Sequence, residues 1–145
     1  MFDLLIKGGL VLDGAANPGI FLSVAIKDNR IHLLRGDISN IKAHRTIDAT
    51  GKVVSPGFID VHAHSGLVIL SEPEHMPKVH QGVTTELIGI DGNSYAPFHD
   101  SADLNRMVQI NSGLDGDPKI DYDWNTVTDY LDKFSLLYTS AAADE

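Results

Sequence analysis

His62 and His64 stand two residues apart in the run Pro56 to His64, PGFIDVHAH. In an extended strand the side chains at i and i+2 leave the same face, so two imidazoles at this spacing can reach one metal ion together. Alone, such a pair is a weak signal, because a histidine is commonly a surface or core imidazole. Its surroundings sharpen it. Pro56 and Gly57 turn the chain into the strand, Phe58 and Ile59 are apolar enough for a core, and Asp60 precedes the pair by two positions. The sequence holds no cysteine, so any metal must be held by His, Asp, Glu or a modified lysine.

The elements that must position this pair follow two rhythms. Up to residue 55, short alternating or apolar runs separated by turn residues predict a small β unit. The runs are Asp3 to Lys7, Gly9 to Leu12, Phe21 to Lys27 and Ile31 to Leu34, with shorter ones at Thr46 to Asp48 and Lys52 to Val54. Asp28 and Asn29 form a polar turn that predicts a hairpin between the third and fourth runs. Beyond Pro56 the order becomes strand, helix, strand. Phe58 to Val61 predicts a short apolar strand. Ser71 and Glu74 at capping-box spacing, Pro73 in the first turn and Gly82 at the end predict a helix from about Glu72 to Gln81. Val83 to Ile90 is β-branched and apolar and predicts a second strand, so the whole reads as a parallel βαβ unit.

From Asp91 to Asp121 the chain is rich in Gly, Asn, Ser, Asp and Pro, with a short helix predicted only over Leu104 to Ile110. A long irregular stretch after such a strand is more often functional than ornamental. Trp124 to Phe134 places Val127, Tyr130, Leu131 and Phe134 at helical spacing and predicts a second outer helix.

Composition sets outer bounds. A chain of 145 residues with 43% hydrophobic content can bury a sizeable core. The net charge of -9, with seven histidines scattered rather than gathered with lysines, argues against nucleic acid as a partner. No run approaches the roughly 18 apolar residues of a membrane span, and MFDLLIKGG lacks a basic segment followed by a long apolar run. A cytoplasmic protein without membrane association is expected.

PGFIDVHAH resembles the first-strand signature of the amidohydrolase superfamily, whose distorted (β/α)8 barrel holds one or two metal ions. Gln81 to Pro97, QGVTTELIGIDGNSYAP, resembles the second-strand segment of the N-acyl-D-amino-acid deacylases, or D-aminoacylases. That family typically carries a cysteine ligand after this strand. Aligned on Gly-Val-Thr-Thr and on Ser-x-Ala-Pro, the cysteine position falls on Asp91. A carboxylate there can replace the thiolate, since Asp oxygens bind Zn2+ at about 2.0 to 2.2 Å; alternatively, Asp91 opens a turn, as Asp-Gly pairs do. DLLIKGGLVLDG and IDATGKVVSPGFID resemble the small β-sandwich that precedes the barrel, and WNTVTDYLDKF the helix after the long loop.

The resemblance therefore implies an α/β fold. Residues 1–55 would be the N-terminal part of the β-sandwich domain and 56–137 the start of an incomplete (β/α)8 barrel. Tyr138 to Glu145, YTSAAADE, breaks with the apolar strand expected next and reads as a non-native tail. Implied metal ligands are His62, His64 and Asp91, holding Zn2+ or another divalent ion, one or two in number. The implied reaction is hydrolysis of a non-peptide C–N amide bond, releasing a free D-amino acid from a small N-acyl substrate. Water activated by the metal attacks the amide carbon, and an aspartate base is expected on a later strand, so no catalytic residue is expected within these residues.

The other histidines carry less. His75 and His80 lie on the predicted helix and His32 and His44 in the β unit, while His99 near the long loop is at most a substrate neighbour. Glu86 is expected to be partnered within or beside the barrel rather than to act as a base. Lys78 and Lys119, away from strand ends, are rejected as modified bridging ligands. Two further readings stand beside the deacylase: a cyclic amidohydrolase of dihydroorotase or hydantoinase type or an isoaspartyl dipeptidase, and an inactive truncated chain with open sheet edges.

Overall fold

Phe2–Val11 (β1) is the strand around which the first unit is built. The two runs expected here, Asp3 to Lys7 and Gly9 to Leu12, are one strand broken by a bulge. Ile6 pairs with Val24 and Gly9 with Leu22, so Lys7 and Gly8 together face Ser23. Gly8 takes φ 77°, the left-handed geometry that one extra residue in a ladder demands and that glycine supplies without a Cβ clash. Ile20–Lys27 (β2) runs antiparallel to β1, and Arg30–Leu34 (β3) antiparallel to β2. Asp28 and Asn29 join them at φ 50° and 57°; positive φ at both turn residues matches the twist of the flanking strands. Ala43–Asp48 (β4) and Val53–Val54 (β5) lie parallel to β1 at its two ends. The sheet order is β3-β2-β1-β4 with β5 on β1. Leu5, Leu22, Val24, Ala25 and Ala49 are buried in this unit, which comprises Met1–Pro56.

The computed structural model describes the backbone of residues 1–141 and the side chains of residues 1–134. From Gly57 a second unit begins. Phe58–Asp60 (β6) pairs in parallel with a later strand, so the strands take the arrangement expected of a βαβ unit. The helix expected over Glu72 to Gln81 is not continuous. It is replaced by two single turns, Val68–Ser71 (α1) and Met76–Val79 (α2), with Glu72 to His75 between them. Prolines cause the break. Glu72, before Pro73, is pushed to φ -128°, ψ 69°, outside the helical region. Pro77 has no N–H, and in a continuous helix its ring would meet the carbonyl of residue 73. The Ser71 hydroxyl donates back to the Val68 carbonyl at 2.9 Å, so it closes α1 rather than capping a new helix.

Val83–Glu86 (β7) stops four residues before the expected Ile90, because Gly89 turns the chain at φ 76°. Its register with β6 skips Thr84, whose side chain packs where a Cβ on Gly57 would stand, 2.1 Å from Thr84 Oγ1. Ser101–Asp115 (α3) is longer than the helix expected from Leu104 to Ile110. Asp100 caps it by accepting from the Asp103 N–H at 3.0 Å, and Gly116 at φ 79° ends it. Val127–Ala141 (α4) opens on a reciprocal cap: Asp129 accepts from the Thr126 N–H, and the Thr126 hydroxyl oxygen accepts from the Asp129 N–H. Of the expected tail, residues 138–141 continue α4 and 142–145 lie outside the described residues.

The core of this unit is side-chain packing around Trp124, with Leu67, Tyr95, Leu104, Val108 and Tyr130 buried against one another. Trp124 precedes the helix on which it was expected; its indole N–H donates to the Tyr95 carbonyl at 2.7 Å. The Tyr130 hydroxyl donates to the Gly66 carbonyl at 2.8 Å, so α4 is tied to the segment just past the histidine pair. Among the described residues no helix is long and apolar enough to cross a membrane.

Candidate metal centre

His62 and His64 lie just beyond β6, whose ladder with β7 carries on past the strand end. The Leu87 N–H donates to the Asp60 carbonyl at 2.8 Å and the Ala63 N–H to the Leu87 carbonyl at 3.1 Å. This pairing holds the intervening residue in place while the imidazoles on either side of it leave together. Their ring centroids are 5.5 Å apart. Asp60 braces the first of them, its Oδ1 accepting from the His62 backbone N–H at 3.0 Å.

Asp91 reaches the pair from the end of the second strand segment. It occupies a tight turn closed by the Asn93 N–H on the Ile90 carbonyl at 2.9 Å, with Asp91 at φ 57° and Gly92 at φ 76°. The two readings of Asp91 are thus compatible: the backbone makes the turn, and the turn delivers the carboxylate. Asp91 Oδ2 stands 3.0 Å from His62 Nε2 and 3.7 Å from His64 Nε2. One donor atom from each residue lies within 4.8 Å of the others. Two imidazole nitrogens and a carboxylate oxygen at such spacing are a donor set suited to a divalent ion of zinc type.

Behind His64 the sequence reading missed two residues. Asp115, the last residue of α3, is only 3% exposed; its Oδ1 is 2.7 Å from His64 Nδ1, and its Oδ2 accepts from the Tyr95 hydroxyl at 2.5 Å. Burial first, and then the neighbouring Asp115 carboxylate, push the Tyr95 hydroxyl far above its usual pKa, so it stays a proton donor. Asp115 falls in GLDGD, five residues past the expected end of its helix, where the composition reads as a turn. Gly116 was the available signal, since a glycine cap there extends the helix to Asp115. A cavity of about 180 Å³ adjoins this side, lined by His64, Tyr95, Asp115, Asn93 and Tyr130 among others.

Glu86 is partnered, as expected. It accepts from the Ser65 hydroxyl, lies 3.2 Å from His75 Nε2 and pairs with Lys78 at 3.2 Å; Lys78 also pairs with Asp60. Burial raises the Glu86 carboxyl, but the hydrogen bonds from Ser65, His75 and Lys78 outweigh it and leave it below its usual value. The hydrogen bond from Lys78, and then that from the His62 N–H, likewise hold Asp60 low. His99 is nearly fully exposed, Lys119 pairs with Asp117 at 2.6 Å, and His32 packs edge-on against Phe2. None of these three joins the cluster of His62, His64 and Asp91.

A family model described as "Amidohydrolase family" matches residues 45–135. The chain belongs to the amidohydrolase family. D-aminoacylase from Alcaligenes xylosoxydans xylosoxydans is 37% identical over 143 residues, which is 99% of this chain and 28% of that protein. A solved D-aminoacylase structure, described in terms of a binuclear metal centre with one-metal activation and second-metal attenuation, superposes at TM-score 0.72 with 36% identity. It covers 92% of this chain and 27% of its own. N-acyl-D-glutamate deacylase from Bordetella bronchiseptica, solved with zinc and a phosphonate mimic of the tetrahedral intermediate, gives TM-score 0.62 and 38% identity over 67% of this chain and 20% of its own. The chain thus spans roughly a quarter of these relatives, and its fold is the α/β fold with which the amidohydrolases begin.

Proposed function

We propose that this chain supplies His62, His64 and Asp91 as ligands to the metal centre of a hydrolase that cleaves the non-peptide amide bond of N-acyl-D-amino acids. The observation that carries the reading is the convergence of two Nε2 atoms on Asp91 Oδ2, in a chain 37% identical to a D-aminoacylase. Zn2+ is the metal proposed, on the donor set and on the zinc held by the Bordetella relative. A divalent ion bound there supplies a Lewis acid that polarises the amide carbonyl and activates water.

The residues of this chain have holding and orienting parts. Asp60 fixes the backbone at His62, the Ile90–Asn93 turn aims Asp91, and β6 and β7 keep the two from drifting apart. The aspartate that moves the proton from water to the leaving amine belongs, by the family resemblance, to a later strand. The isolated chain, with Phe58 and Ile59 exposed on a two-stranded sheet and Val61 exposed just past it, is accordingly proposed to bind metal without turning over substrate.

The test is zinc content after dialysis of the purified 145-residue chain. Close to one ion per chain is expected, with a marked fall in Asp91→Ala and in His62→Ala. Unchanged content in Asp91→Ala would strike Asp91 from the ligand set; zinc-free wild-type chain of native circular dichroism would overturn the reading. With the later strands joined on, release of free amine from N-acyl-D- but not N-acyl-L-amino acids is the expected activity.

A further inference from the structure

Asp115 stands where folding alone would not choose an acid. It is the last residue of α3, at the end where the helix dipole is negative and where cations, not carboxylates, are stabilising. It is also 3% exposed, and a buried carboxylate costs several kcal/mol, as a rough magnitude, unless its oxygens are satisfied. Both oxygens are satisfied, and by different partners. Oδ2 accepts from the Tyr95 hydroxyl, and Oδ1 is 2.7 Å from His64 Nδ1. Tyr95 is itself pinned through its carbonyl by the Trp124 indole N–H at 2.7 Å. A rigid chain of contacts therefore runs from the packed core through Tyr95 and Asp115 to the buried side of His64.

We infer that Asp115, held by Tyr95, is a positioning residue for His64: it takes the Nδ1–H and so leaves the Nε2 lone pair turned toward Asp91. This rests on the proposed metal reading and deepens it by assigning the ligand atom and the group that fixes it. A carboxylate can only accept, so the proton of the shared hydrogen bond sits on Nδ1, and Nε2 is the nitrogen left to donate to a metal. Among the described residues no buried carboxylate supports His62 in the same way. Its side chain is 61% exposed against 21% for His64, its Nε2 meets Asp91 at 3.0 Å, and its ring lies against that of His64. The two histidines of the pair are thus unequal: His64 is preorganised and His62 is free to adjust.

Two measurements on the full 145-residue chain test this. Long-range 1H–15N correlation spectra of the metal-free chain, with neutral imidazoles, should show His64 as the Nδ1–H tautomer, and Asp115→Ala should lose that preference. Wild-type His64 as the Nε2–H tautomer overturns the inference whether or not any variant folds. Zinc affinity, read by competition with a chromophoric chelator, should fall about 10- to 100-fold in Asp115→Asn and about two- to tenfold in Tyr95→Phe. The far-UV circular dichroism of both variants should be unchanged. Folded Asp115→Asn with wild-type affinity overturns the inference while leaving the metal reading intact. A wild-type chain that shows the expected tautomer but binds no zinc overturns the metal reading instead, and the orientation of His64 stands.

Discussion

The two units of this chain are held together by different means. Residues 1–56 form a five-stranded mixed sheet in which almost every strand residue is paired, yet the buried side chains are few and mostly small or aliphatic, such as Leu5, Val24 and Ala25. The second unit has only a two-stranded sheet, but it contains the largest fully buried side chains, Trp124, Leu67 and Leu104. In the first unit the backbone ladder fixes the geometry; in the second, interlocking side chains do. The proposed ligands sit in the second, on the ends of strands that packed loops and helices steady. Ladders place backbones, and placing a side chain within a fraction of an ångström takes packing.

The most disruptive way to probe this contrast is Trp124→Ala. Removing a fully buried indole from the centre of the second core should cost about 3–5 kcal/mol and abolish zinc binding. Amide exchange of β1, β2 and β3 should hardly change. A collapse of protection in those strands as well would show that the two units do not have separate supports.

Gly57→Ala comes next. Its Cβ would stand 2.1, 2.3 and 2.7 Å from three atoms of the Thr84 side chain, which is β-branched and cannot swing aside cheaply. Separating β6 from β7 should cost about 1–3 kcal/mol, read as a fall in the denaturation midpoint, with weaker zinc binding because the histidines and Asp91 hang on different strands of that pair.

The pH dependence of the second unit should be smaller and two-sided. The carboxyls of Asp60 and Glu86 are held below their usual 3.8 and 4.5, so their contribution is complete above those values and lost as pH falls through the lowered ones. Lys78 is raised above 10.5, chiefly by its hydrogen bond to Asp60, so its contribution is complete below that value and lost as pH rises through the raised one. Thermal unfolding of Lys78→Met should lose the alkaline sensitivity expected of the wild type and only part of the acid sensitivity, since the Ser65 and His75 bonds to Glu86 and the His62 N–H bond to Asp60 remain. Equal profiles for the two proteins would remove the cluster from the account. Smallest of all, Asn29→Gly in the β2–β3 turn, at φ 57°, should raise stability by a few tenths of a kcal/mol, roughly 0.5, and leave zinc affinity untouched.

The same contrast explains what could be read from sequence. The β2–β3 hairpin was legible because its signal is local, an Asp-Asn turn between alternating runs. The split of β1 into two runs was misread because Gly8 looks like punctuation, whereas it is the bulge that lets one strand continue. The helix over 72–81 was misread because capping spacing was weighed above two prolines four residues apart, which decide the matter sterically. His62 and His64 were marked as a pair by spacing, but as a candidate metal site they, like Asp91, were read through the family resemblance. Asp115 was the least legible: it lies 51 residues from His64, and only the glycine cap at Gly116 marks it as the end of a helix rather than a turn aspartate.

The turn at Asp91 narrows what can stand there. At φ 57° a residue must tolerate left-handed backbone, which Gly, Asn and Asp do routinely and other residues only at about 1–2 kcal/mol. Glycine would fit and offer no donor, asparagine would fit and offer no charge, and cysteine would offer a softer anion while straining the turn that carries it. Among side chains this bend accepts without strain, aspartate alone is anionic, so the backbone angle by itself favours a hard oxygen donor at this position.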